Sequence, residues 1–90
     1  MQIKIANTIT VTPVDDEAVI TEMQSELMYG LNPVATKMWQ SLSETHDIEA
    51  TVQAMMKIYD VEESIIREDL LQLIHELEVR KIIYLIDESQ

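Results

Sequence analysis

The chain has no cysteine, one glycine, two prolines and only six lysines and arginines among its 90 residues. Without cysteine, disulfides, thiolate metal sites and a cysteine nucleophile are all excluded. So little glycine and proline argues against a loop-rich or disordered chain. No apolar run approaches the roughly 20 residues needed to span a bilayer. The N-terminus, Met1-Gln2-Ile3-Lys4-Ile5, lacks the apolar block of about 7–15 residues that marks a signal peptide. A soluble, cytoplasmic protein without a membrane partner is expected. Its length suits one domain spanning residues 1–90. A chain of this size buries only about 60–65% of its unfolded surface, which leaves little room for an enclosed active-site cavity.

Basic residues are also few relative to acidic ones. Six Lys and Arg stand against seventeen Asp and Glu, a formal net charge of −11. Nucleic-acid binders draw much of their affinity from neutralising phosphates. This chain would repel a polyanion and has no basic run to offset that locally, so no nucleic-acid partner is expected.

What is present falls into two halves of different period. Ile3, Ile5, Ile9 and Val11 occupy odd positions, interrupted near Asn7-Thr8, and predict a bent or bulged first strand. Pro13 and Asp15-Asp16 mark a turn. Ala18 to Met23 forms a second strand, Gln24-Ser25 a short connection, and Leu27 to Leu31 a third strand. Links this short predict an antiparallel meander.

From Asn32 the period becomes helical. Asn32 suits an N-cap and Pro33 the first helical position. Val34, Ala35, Met38, Trp39 and Leu42 follow on one face. Asp47 caps a second helix carrying Ile48, Val52, Met55, Met56 and Tyr59. Asp60 and Glu63 have the spacing of a capping box for the third helix, whose apolar stripe is Ile66, Leu70, Leu73, Ile74 and Leu77. Ile82 to Ile86 reads as a short closing strand, and Glu88-Ser89-Gln90 is expected to fray. The predicted fold class is α+β: a winged-helix-like arrangement with a three-stranded antiparallel sheet followed by three helices.

Chemistry-bearing patterns are scarce. His46 and His75 lack any metal-ligand spacing and read as surface histidines. The serines have no G-x-S-x-G setting, and Gly30 alone makes no phosphate-binding loop. Asp15-Asp16-Glu17 and Glu62-Glu63 read as turn and helix-start charges, without the calcium-loop pattern. No cofactor, metal or catalytic role is expected. The six methionines, Met55-Met56 among them, are read mainly as core, with Met28 on the strand placed at the sheet edge as the exception. Leu71 is expected as an isolated exposed residue.

The segment Leu27-Met28-Tyr29-Gly30-Leu31-Asn32-Pro33-Val34-Ala35-Thr36-Lys37-Met38-Trp39-Gln40-Ser41-Leu42 resembles the PqqD-like family, whose pattern runs aromatic-aromatic-x-Leu-Asn, then a small residue, an apolar-Trp pair and Leu. The likeness continues through Tyr59-Asp60-Val61, Asp69-Leu70, Leu73, Ile74 and Leu77 to Ile82-Ile83. Lys81 stands where a helix-ending glycine is usual, and Met28 replaces one strand aromatic. The resemblance implies a peptide-recognition element of ribosomally made, modified peptides. It implies that a precursor's leader peptide pairs antiparallel with the third strand, in a groove against the third helix. Stand-alone members of this length look like those of lasso-peptide pathways. The partners implied are the leader and a maturation enzyme, a transglutaminase-like leader protease with a cyclase as a further candidate. Other members serve pyrroloquinoline-quinone or radical-SAM pathways.

Strand addition is physically sensible here. An edge strand carries unpaired N–H and C=O groups, and a guest peptide satisfies them while pockets read alternate side chains. The expected ladder is Glu26 through Gly30. Leu27 and Tyr29, or on the opposite phase Met28, would line the groove. From the third helix it would take Asp69, Leu73 and Glu76, with Ile65, Gln72 or Arg80 further along, and Asp69 and Glu76 facing basic leader residues. The competing readings are a winged-helix DNA-binding regulator, a small enzyme, and an oligomerisation domain using the same edge. A monomer or weak dimer is expected.

Overall fold

The computed structural model describes residues 1–86, so the expected fraying of Glu88-Ser89-Gln90 lies outside the described residues. Five strands and three helices follow in the order β1 (Gln2–Ile5), β2 (Ile9–Val14), β3 (Glu17–Glu22), β4 (Leu27–Leu31), α1 (Pro33–Thr45), α2 (Ile48–Ile58), α3 (Glu63–Val79) and β5 (Ile83–Ile86). β2, β3 and β4 form the expected antiparallel meander, with β3 in the middle. The α+β, winged-helix-like architecture holds.

The first predicted strand is not one bent strand. Its interruption at Asn7-Thr8 is a change of sheet: β1 leaves the meander and pairs antiparallel with β5, Ile5 opposite Ile83 and Gln2 opposite Ile86. The far edge of β1 is covered by the α1–α2 junction, where the Ile3 N–H donates to the His46 carbonyl and the Ile48 N–H to that of Met1, both at 2.9 Å. Alternation alone cannot distinguish a bulge from a strand that ends and restarts in another sheet, because both preserve the odd-numbered apolar residues.

The helix starts are readable one by one. Asn32 has extended backbone and its Oδ1 accepts from the Ala35 N–H at 2.8 Å, with Pro33 in the first turn. Asp47 does the same for α2, accepting from the Ala50 N–H at 3.0 Å. For α3 the capping-box expectation fails. Glu62 is the N-cap, with no side-chain cap bond among the described residues, and Asp60 lies two residues too early.

Ile20, Leu42, Val52, Met55, Leu70, Leu77, Ile3, Ile82 and Ile83 are fully buried at the centre. The predicted stripe of α3, from Ile66 to Leu77, is buried throughout. Of the methionines only Met38 and Met55 join this core; Met1, Met23 and Met56 are exposed, which corrects their reading as core residues, and Met28, expected as the exception, is exposed too. Leu71, His46 and His75 are exposed. Arg67 ties α3 to α2, with Nη1 2.5 Å from Glu49 and Nη2 3.0 Å from Glu63. Those two carboxylates hold its pKa above the usual arginine value.

Candidate functional site

Among the described residues β4 has one hydrogen-bonded neighbour, β3, and forms the edge of the three-stranded sheet. Alternate residues along this edge carry backbone N–H and C=O groups without a strand partner. The start of β4 is fixed by a buried carboxylate. Glu22 ends β3, and its Oε1 accepts from the Ser25 N–H at 2.8 Å while its other oxygen accepts from the Thr8 hydroxyl. These donors, the Thr8 hydroxyl first, hold its pKa down at about 2, outweighing the opposing effect of burial. Glu26 then takes a left-handed conformation, φ 63°, and its N–H returns to the Glu22 carbonyl.

The register of β4 assigns its two faces. Tyr29 lies opposite the fully buried Ile20 and Leu31 opposite the buried Ala18, so Leu27, Tyr29 and Leu31 share the face turned toward the helices. Met28 and Gly30 project from the opposite, outer face. Met28 is 68% exposed and Leu27, beyond the helices' reach, 56% exposed.

Between β4 and α3 runs a groove of about 430 Å³, lined by Tyr29, Asn32, Val34, Ala35, Met38, Asp69, Gln72, Leu73 and Glu76. Five of the expected residues, Tyr29, Asp69, Gln72, Leu73 and Glu76, thus come together along one furrow. Leu73 forms its apolar floor and is itself buried. Ile65 lies one step further along, in an adjoining apolar hollow of about 170 Å³ that shares Val34, Met38 and Asp69 with the groove. Glu26, Leu27, Met28 and Gly30 do not line the groove; they form the exposed edge beside it.

The two groove carboxylates differ. Glu76 is held by Arg80, whose Nη1 sits 2.7 Å from its Oε1 and 2.9 Å from its carbonyl oxygen. The same guanidinium lies over the Tyr29 ring, 4.4 Å from the centroid, joining the last turn of α3 to the middle of β4. Asp69 makes no hydrogen bond or ion pair among the described residues, leaving it open to a cation. Val34, Ala35 and Met38 belong to the apolar face of α1 that the helical period indicates, and they line the groove as well. Their helix starts immediately after β4, so its first turns turn one flank toward the groove. The short link through Asn32-Pro33 was the available signal.

Among the described residues no group of three His, Asp or Glu side chains is arranged to hold a metal ion. No helix in them is long and apolar enough to cross a membrane.

Residues 17–83 match the family described as coenzyme PQQ synthesis protein D (PqqD). Among solved structures, TbiB1 in complex with the TbiA(beta) leader peptide superposes with a TM-score of 0.86 at 25% identity, covering 94% of this chain and 99% of that one. A lasso peptide synthetase B1 complexed with the leader peptide gives a TM-score of 0.82 at 21% identity over 94% of this chain and 100% of that one, a likeness of fold. No curated protein matches the chain.

Proposed function

The chain belongs to the PqqD family, and from that premise we propose that it is a non-catalytic adaptor that binds the leader segment of a ribosomally made precursor by strand addition. The observation that carries this reading is the open edge of β4 with a groove directly beside it. Edge and groove together supply both halves of strand-type recognition: backbone hydrogen bonds for affinity and side-chain contacts for selectivity. In this reading Glu26 to Gly30 provide the ladder. Tyr29, Leu73 and Gln72 form the groove, Ile65 lines its apolar extension, and Asp69 takes a basic leader residue. Glu76, engaged by Arg80, acts chiefly by fixing that arginine over Tyr29. The bound leader is then presented to a maturation enzyme, a transglutaminase-like leader protease or a cyclase, in a cytoplasmic pathway.

The family description names PQQ synthesis, whereas the structural relatives are complexes with leader peptides and one is a lasso peptide synthetase component. The likeness in length and fold to the latter favours a lasso-type pathway over a role beside a radical-SAM enzyme. A winged-helix DNA-binding role has no support in the charge of α3, where Glu62, Glu63, Glu68, Asp69 and Glu78 are exposed.

The test is calorimetric titration with the leader segment of a candidate precursor peptide. Proline or a charge introduced within Leu27–Gly30 should abolish binding while the helical circular-dichroism signal persists, since proline removes a ladder donor outright. A folded variant with unchanged affinity would refute the assignment.

A further inference from the structure

Gly30 is the chain's sole glycine, and nothing inside the fold requires it. Its φ is not positive, and a Cβ built on it meets no heavy atom of the described residues within 4 Å. Glycine within a strand is destabilising by about 0.5–1 kcal/mol relative to alanine, and it often marks a place where a ligand or a second backbone approaches closely. Here it occupies the unpaired edge of the meander.

The register shows what a side chain at this position would cover. Thr12, Val19 and Gly30 form one row across the outer face of the sheet, and Gly30 ends that row at the open edge. Beside it lies a depression of about 330 Å³ at the end of the sheet, lined by Val14, Glu17, Val19, Gly30 and Asn32 together with Ala18 and Leu31. Val19 and Gly30 give this hollow its outer-face side, away from Tyr29, whose register places it on the helix-facing side. A strand added to β4 presents alternate side chains to the two faces, so one set enters the groove and the other passes over Gly30.

Building on the leader-binding reading, we propose that Gly30 creates a second specificity subsite on the outer face, which takes one bulky apolar side chain of the guest strand. That side chain, aromatic or β-branched, folds back across the bare glycine onto Val19. Whichever guest residue pairs with Gly30, its side chain projects from the same face as Gly30, so the subsite follows from pairing alone. Large neighbours across the ladder compensate edge glycines in this way, and the Glu17 carboxylate at the border disfavours an acidic guest residue.

The experiment uses fluorescein-labelled peptides selected from a randomised 20-residue display library on the wild-type protein, measured by fluorescence anisotropy. One position in the selected peptides should be restricted to aromatic or β-branched residues, and alanine there should weaken binding roughly fivefold. Gly30→Val should melt no earlier than wild type, weaken the parent peptide by a similar factor, and lose nothing more with the alanine peptide. Unchanged affinity of Gly30→Val, or losses that multiply at every peptide position, would overturn the subsite. Selected peptides that still bind when proline is placed within Leu27–Gly30 would instead sink the strand-addition reading beneath it.

Discussion

Glu22 and Tyr29 each hold one end of the proposed site in place, by different physics. Glu22 is a buried carboxylate satisfied by donors from two turns, Thr8 and Ser25, so it locks the approach to β4. Because its folded pKa is depressed from 4.5 to about 2, protonation is resisted more strongly in the folded state than in the unfolded chain. Its contribution is fully present above pH 4.5 and is lost as pH falls from there toward 2. Urea unfolding of wild type and Glu22→Gln should therefore show a stability gap at pH 7 that narrows through this interval. A gap independent of pH would mean that the carboxylate charge is immaterial. Tyr29 is held from the other side by the guanidinium of Arg80, which the Glu76 carboxylate orients. This arrangement fixes the separation of strand and helix at the middle of the groove.

Among the elements, α3 carries the groove's second wall, and beyond its C-terminus stands Lys81, one of the two departures, with Met28, from the pattern the sequence resembles. The helix ends in two bonds, Lys81 N–H to the Glu78 carbonyl at 3.0 Å and Ile82 N–H to the Leu77 carbonyl at 2.9 Å. Those bonds are the Schellman motif, and the buried Ile82 and Leu77 supply its accompanying apolar residues. Its left-handed position is Lys81, φ 61°, where a side chain is disfavoured by about 1 kcal/mol and glycine is not. Lys81→Gly should raise unfolding stability by up to about 1 kcal/mol in chemical denaturation. Peptide affinity should stay the same, since Lys81 lies outside the groove. A loss of stability would mean that the lysine side chain makes a compensating contribution. The hairpin of β2 and β3 is the contrasting element: β2 is exposed along nearly its whole length, as a projecting wing must be.

At the scale of the molecule, a formal charge of −11 surrounds a groove whose open carboxylate is Asp69. Such a field draws cationic peptides and repels polyanions, and salt screens both effects, with a Debye length of about 10 Å at 0.1 M. Affinity for a peptide of net positive charge should fall several-fold between low and high ionic strength, while that for a neutral variant changes little. Tight binding of duplex DNA in a low-salt gel shift would contradict this picture. In the proposed reading, the same charge opposes self-association and favours a cationic guest at the β4 edge.

Local chemistry determined much of this protein. Leu27–Leu31 is the third strand of the meander at the bounds the sequence indicates, because Asn32 and Pro33 end it and begin a helix in the same two residues. The buried face of α3 follows from its 3.6-residue period, and Asp47 marks α2 by its capping chemistry alone. Three things were decided only in three dimensions. The break at Asn7-Thr8 became a change of sheet, because the partner that defines β1 is β5, at the other end of the described chain. The first turns of α1 became groove wall, since which flank of an amphipathic helix meets another element depends on packing angles that periodicity does not encode. Which of Tyr29 and Met28 faces the helices was decided by the pairing of β4 with β3, since alternation by itself leaves that phase open until one face has a core to meet.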